Sequence, residues 1–329
     1  MKRLISAIVS LGILLAIYTK IDVTGLVTVF RDCDRWWMAI SLGMVVPLTL
    51  ATSWRLQQLM PETGRLGFGM ANKLTLAASV LNMVLPSKMG DIAKAYFIRD
   101  RGYLSGSLSL SLVVFEKACD LLSLLLWCAF GLLLYPHKGA LFWLMAIGIV
   151  GGLVVGTAIL GSSRIATTAF GLGRRIVPGG KAGKLGKKLD RLHTSWNEMQ
   201  AYFWRDRQQL AIISLCSIGI WLLHLLQIWF FIFALRASVP FIANLALSPL
   251  SILAGLLPLT FAGVGTRDAA LIVFYQPYFD AHTGAALGLL CTSRYLLPAI
   301  GGLPFFGQFL SRMRSEPVTN GDAINEPPK

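Results

Sequence analysis

Residues 210–235 read LAIISLCSIGIWLLHLLQIWFFIFAL, a run without any Asp, Glu, Lys or Arg. A helix needs about 20 apolar residues to cross a hydrocarbon layer of about 30 Å, so this run is long enough to span a bilayer. Hydrophobic residues make up 55% of the 329 positions and charged residues 14%, which places the whole chain among membrane proteins. The runs are continuously apolar, and this excludes the alternating pattern of a membrane β-barrel.

Further runs of this kind predict an all-α, polytopic membrane protein with six full transmembrane helices. The first run follows Met1-Lys2-Arg3 but has no small-residue cleavage site after it, so we interpret it as a retained span and not as a signal peptide. The six predicted spans are Leu4–Ile21, Trp36–Trp54, Leu108–Tyr135, Ala140–Gly161, Leu210–Leu235 and Gly284–Leu310.

Two other apolar stretches are interrupted. Leu74–Leu85 is too short to cross the hydrocarbon core at about 1.5 Å per residue. Phe241–Leu257 is followed by a polar, glycine-rich segment and then by a second apolar piece, Ala269–Phe279. Both stretches are predicted to be broken or re-entrant helices. The predicted structural breaks are Pro86 and Gly90 in the first, and Pro258, Gly263 and Gly265 in the second.

Loop charges predict the orientation. The segment 164–207 carries ten Lys and Arg residues against three acidic ones, so it should be cytoplasmic, as should both termini. With six crossings, the two broken hairpins then enter from opposite sides and form a pseudo-symmetric inverted repeat, as in many transporters. We expect one transmembrane domain over 1–314 in the cell inner membrane, with a basic cytoplasmic loop at 162–208. A disordered cytoplasmic tail is expected at 315–329.

The cytoplasmic loop contains an apolar stripe at helical spacing. This pattern indicates an amphipathic helix that either lies on the inner leaflet or packs against the helix bundle. Both alternatives are compatible with the sequence. The stripe consists of Leu185, Leu189, Leu192, Trp196, Met199 and Phe203.

The formal net charge of +14 lies mainly beside and between the apolar runs. That placement suits topology and acidic lipid headgroups better than nucleic acid, which we do not expect as a partner. The five cysteines have no paired spacing typical of a metal or disulfide framework, and no cofactor or metal is predicted.

Charged residues within or beside the predicted helices are the candidate substrate-binding residues. Each costs at least about 2.5–3.5 kcal/mol on insertion scales, so such side chains face a wet cavity or a partner. A spacing of four places Glu116 and Asp120 on one helical face. The candidates are Lys88, Asp91, Lys94, Glu116, Lys117, Asp120, Arg267, Asp268 and Arg294.

Two interpretations of these charges stay open. In the first, Arg267, Arg294 and Lys88 hold a phosphate in a polar cavity, and the carboxylates keep the empty site neutral. Helix ends at the breaks would add backbone donors for the same anion. In the second, the charges only pair with one another, or they lie at the headgroup level.

Four short motifs, in this order, resemble the flippase-like transmembrane domain of lysylphosphatidylglycerol synthases over about residues 4–310. The resemblance implies a lipid flippase with two re-entrant helices around a central cavity. Lys117 stands where that family usually has Arg, which implies a different headgroup preference. The motifs are Asn82 with Leu85-Pro86-Ser87 and Gly90-Asp91, Phe115-Glu116-Lys117 with Asp120, Leu257-Pro258 with residues 263–268, and Arg294-Tyr295.

The favoured function is therefore translocation, without enzymatic activity, of an anionic phospholipid or a polyprenyl-phosphate lipid. One alternative is an intramembrane transferase acting on a lipid headgroup, with Glu116 or Asp120 as general base. Another is a non-catalytic membrane subunit that works beside a lipid-synthesising enzyme. A membrane lipid is the expected partner in each case.

Overall fold

The computed structural model describes residues 23–61, 64–84, 90–135, 139–176, 184–256 and 265–315, and the regular structure in these ranges is helical. In chain order the helices are α1 (Val23–Arg31), α2 (Arg35–Gly43), α3 (Val45–Leu59), α4 (Phe68–Val84), α5 (Gly90–Asp100), α6 (Gly106–Leu134), α7 (Ala140–Gly161), α8 (Ser163–Ile176), α9 (Lys184–Arg205), α10 (Arg207–Ala234), α11 (Phe241–Leu256), α12 (Thr266–Tyr275) and α13 (Ala281–Ser315).

Five helical segments in the described part of the chain are long and apolar enough to cross a membrane. They coincide with five of the six predicted spans, and the chain is a multi-pass membrane protein. The sixth prediction, Leu4–Ile21, lies outside the described residues. The five segments are Arg35–Leu59, which joins α2 and α3, Gly106–Leu134, Phe142–Gly161, Arg207–Ala234 and Ala281–Gly307.

Two pairs of shorter helices correspond to the interrupted stretches. The first pair, α4 and α5, has 17 and 11 residues, and the second, α11 and α12, has 16 and 10. Helix α4 begins six positions before the predicted start at Leu74, because the segment that begins at Phe68 is also helical. The predicted breaks Pro86, Pro258 and Gly263 lie outside the described residues. Gly265, with a φ of 98°, immediately precedes α12.

Close backbone approaches at glycine join the helices into one bundle. A Cβ atom on Gly131 of α6 would overlap the carbonyl oxygen of Ala246 in α11. On Gly302 of α13 it would overlap that of Leu76 in α4, and on Gly90 it would overlap that of Ala78. Small residues let membrane helices approach closely and gain van der Waals contact, since lipid tails provide no hydrophobic driving force between helices.

Helix α9 packs against the bundle at its C-terminal half. Trp196, Met199 and Phe203 of α9 are buried, and the Phe203 ring stacks on Phe115 of α6 with 4.5 Å between centroids. For this half, the alternative in which the helix lays its apolar face on the inner leaflet is therefore wrong, because this face is covered by α6. The side chains of Leu185 and Leu189 lie outside the described residues.

Candidate functional site

A cluster of six charged side chains lies inside the helix bundle. Nη2 of Arg55 donates to Oε1 of Glu116 at 3.1 Å, and Nη1 of the same guanidinium donates to Oδ1 of Asp120. Nζ of Lys94 lies 3.0 and 2.9 Å from the two Glu116 oxygens. Three cations thus face three carboxylates. We call this group the six-residue cluster; its members are Arg55, Asp91, Lys94, Glu116, Lys117 and Asp120.

The six-residue cluster is buried at one end and accessible at the other. The Glu116 side chain is 0% exposed and that of Arg55 2%, whereas that of Lys117 is 43% exposed. Lys117 bridges Asp91 at 3.0 Å and Asp120 at 3.4 Å. A buried ion pair is strongly destabilised when one partner is removed, because the other charge then stays uncompensated in a medium of low dielectric constant.

Asp120 is the middle residue of α6, with 14 positions to Gly106 and 14 to Leu134. At about 1.5 Å per residue it lies roughly 21 Å from either helix end. Helix α6 is long and apolar enough to cross a membrane, so Asp120 lies at mid-length of a candidate spanning helix.

Arg55 is the member of the cluster that the sequence interpretation missed. It directly follows the predicted span Trp36–Trp54 and is not among the predicted site residues. A periodic signal was nevertheless present, since Leu48, Arg55 and Leu59 occupy one helical row and all three are buried. The predicted shared face of Glu116 and Asp120 is confirmed, because both bind Arg55.

A second charged centre forms where α12 begins. Arg267 binds Oδ1 of Asp268 through Nε at 3.0 Å and through Nη2 at 2.6 Å. Its Nη groups also reach the carbonyl oxygens of Gly288 at 2.9 Å and Cys291 at 3.4 Å, and the hydroxyl of Thr292 at 2.7 Å. The guanidinium is therefore fully engaged within the protein.

Asp268 also fixes the start of its helix. Its Oδ2 accepts a hydrogen bond from the backbone N–H of Gly265 at 3.1 Å. A Cβ atom on Gly288 would lie only 2.9 Å from the Asp268 carboxyl, so this glycine leaves the space that the Asp268 side chain fills. Helix α12 is thereby held against α13 at the charged centre.

Arg294 occupies the middle of the last span. It lies 13 positions from Ala281 and 13 from Gly307, and it is 4% exposed. Its Nη2 donates to the Tyr295 hydroxyl at 3.1 Å, and its guanidinium lies 5.1 Å from the centre of the Tyr295 ring. Among the described residues, Nε and Nη1 of Arg294 have no hydrogen-bond partner.

Both charged centres and both helix pairs fall within one family match. The family described as the lysylphosphatidylglycerol synthase TM region matches residues 3–302. The chain belongs to this family. No curated protein matches the chain at a significant level.

Membership of the lysylphosphatidylglycerol synthase TM region family indicates a function related to membrane lipids. The structure brings together five of the nine predicted site residues in the six-residue cluster and places Arg267 and Asp268 in the second centre. Arg294 lies beside that centre on α13. Lys88 lies outside the described residues.

The geometry does not favour Glu116 as a general base. One of its oxygens accepts hydrogen bonds from Arg55 and Lys94, and the other accepts one from Lys94. A general base must reach the proton of its substrate directly or through one water. Glu116 is fully buried and both of its oxygens are engaged.

Proposed function

We propose that this chain is a translocase that moves the polar headgroup of an anionic or phosphate-bearing lipid between the two leaflets. The observation that carries the proposal is the position of ionised side chains at mid-length of two spanning helices. Asp120 is the midpoint of α6, and Arg294 is the midpoint of the span Ala281–Gly307. Charges at membrane depth are rare and mark pathways for polar substrates.

The broken helix pairs support a transport function. In each pair the charged residues lie near the start of the second helix: α5 contributes Asp91 and Lys94, and α12 contributes Arg267 and Asp268. In transporters, interrupted helices place polar side chains and backbone ends near the bilayer midplane. An inverted repeat of the two pairs would let one half rock against the other and expose the charged interior to each side in turn.

Electrostatics explain why such a pathway accelerates headgroup movement. A phosphate crosses pure hydrocarbon at a high free-energy cost, and cationic donors in the interior replace part of its hydration shell. The acyl chains need no such path and remain in the bilayer. The driving force would be a lipid gradient, an ion gradient or the membrane potential, at about 2.3 kcal/mol per charge per 100 mV.

The test is reconstitution into liposomes that contain lipids with fluorescent acyl chains, followed by quenching of the outer leaflet. We expect the wild type to make the inner-leaflet fraction of an anionic lipid accessible to the quencher, and Glu116→Gln to do so much more slowly. Glu198→Gln is the matched control, because it removes an exposed carboxylate from α9. Equal rates in protein-free and wild-type vesicles, with and without a membrane potential, would contradict a translocase.

A further inference from the structure

The described charges inside the bundle balance with one exception. The six-residue cluster contains three cations and three carboxylates. Arg267 and Asp268 neutralise each other at 2.6 Å. Arg294 is the remaining cation, 4% exposed and without an ion pair among the described residues. An uncompensated buried charge is costly, so it calls for an anion from outside the chain.

No carboxylate is supplied by the segments that connect the broken helices. Residues 85–89 read LPSKM and residues 257–264 read LPLTFAGV, and neither contains Asp or Glu. The positive charge of Arg294 is therefore not neutralised from these connections.

An acid precedes Arg294 at the same sequence separation at which an acid pairs with Lys117. Asp91 and Lys117 are 26 positions apart (117 − 91) and form an ion pair at 3.0 Å. Asp268 and Arg294 are likewise 26 positions apart (294 − 268). In this second half, however, both hydrogen bonds to Oδ1 of Asp268 come from Arg267. Arg267 therefore holds the carboxylate of Asp268, and Nε and Nη1 of Arg294 have no hydrogen-bond partner among the described residues.

The register of α4 against α13 places Arg294 near a helix break. Lys73 lies over Phe305, and Leu76 faces Gly302, so the two helices run antiparallel. Between antiparallel helices, each step forward along α4 matches one step back along α13. Counting eight positions back from Gly302 and eight forward from Leu76 therefore places Arg294 about level with position 84, where α4 ends. An anion bound there lies at mid-membrane, beside the end of the first broken helix.

We infer that Arg294 is the residue that binds the lipid anion, through Nε and Nη1, and that its ligand is a phosphodiester headgroup with one net negative charge. Among the described residues Arg294 is the one buried cation without an ion pair, so one headgroup with a single negative charge balances it, whereas a doubly charged phosphomonoester would leave an excess negative charge. Two parallel N–H donors also match two phosphate oxygens. The inference rests on the proposed translocase function, because the headgroup reaches this buried side chain only when the bundle opens.

Equilibrium binding in detergent tests the inference separately from transport. The probes are phosphatidylglycerol, phosphatidylethanolamine and phosphatidic acid with the same fluorescent acyl chain. We expect the wild type to bind phosphatidylglycerol about ten-fold more tightly than phosphatidylethanolamine, because the ammonium group of phosphatidylethanolamine would bring a second positive charge to the buried arginine. Arg294→Gln should lose this preference, and Arg294→Lys should keep part of it. Arg207→Gln, which removes an exposed arginine at the start of α10, should keep all of it.

Three results would overturn the inference: no preference in the wild type, an unchanged preference in Arg294→Gln, or tighter binding of phosphatidic acid where its phosphate is doubly charged. Misfolding is separated by the melting temperature without lipid. Loss of an unpaired buried charge should leave that temperature unchanged or raise it. If binding depends on Arg294 but no lipid changes leaflet, the translocase proposal fails, and Arg294 is a lipid-binding residue of a protein that does not translocate. If lipid changes leaflet equally well in the wild type and in Arg294→Gln, the translocase proposal stands and the inference about Arg294 fails.

Discussion

Arg55 and Glu116 form an ion pair inside the bundle, with 3.1 Å between Nη2 and Oε1 and side-chain exposures of 2% and 0%. The pair joins α3 to α6 and lies beside Lys94 of α5. Three helices from different parts of the sequence are thereby held together by charge.

Single neutralisations of this pair should each destabilise the protein. Arg55→Gln leaves Glu116 with one cation less, and Glu116→Gln leaves two cations without their shared carboxylate, so we expect losses of about 3–5 kcal/mol each. The double variant should lose less than the sum, because the second change removes a charge that is already uncompensated. Unfolding free energies in detergent measure this coupling. Additive losses would show that the two side chains do not act as a pair.

The two lysines of the six-residue cluster should differ in their effect on stability. Lys94 and Lys117 both contact Asp91, but their side chains are 2% and 43% exposed. Lys94→Gln should cost about 3–5 kcal/mol and Lys117→Gln clearly less, because Asp91 and Asp120 still have Lys94 and Arg55 as partners when Lys117 is neutralised. The comparison needs only the melting temperatures of the two variants. A larger loss from Lys117→Gln would contradict the burial gradient.

Continuous apolar runs made five spans and the helices α4, α11 and α12 predictable from the sequence. The partners of the charges were not predictable. Arg55 lies at the end of an apolar run, where a flanking role is equally compatible with the sequence. Neighbouring residues on a helix do not normally face each other, so Arg267 and Asp268 did not suggest a pair. Their contact depends on the first turn of α12 and on the space left by Gly288, which only the packed helices define.

Close packing of α4 on α13 predicts opposite effects for two glycines of the same helix. A Cβ at position 302 would overlap the carbonyl oxygen of Leu76, whereas a Cβ at position 307 has no neighbour within 4 Å among the described residues. Gly302→Ala should therefore destabilise by several kcal/mol, because backbone must move to accommodate it. Gly307→Ala should be neutral or stabilise by up to about 1 kcal/mol through helix propensity. Thermal unfolding of the two variants gives the comparison, and equal effects would argue against this helix contact.

Substitution of Arg267 should abolish lipid binding by Arg294, although Arg294 itself is not substituted. In Arg267→Gln the carboxylate of Asp268 loses its partner, and Arg294 follows Asp268 at the same spacing at which Lys117 follows its partner Asp91. A new pair between Asp268 and Arg294 would occupy the open nitrogens, so the preference for phosphatidylglycerol should fall about ten-fold. The double variant Arg267→Gln with Asp268→Asn removes the competing acid and should restore the preference. If Arg267→Gln binds phosphatidylglycerol like the wild type, Asp268 does not pair with Arg294 in the variant, and the predicted competition between Asp268 and the lipid for Arg294 is wrong.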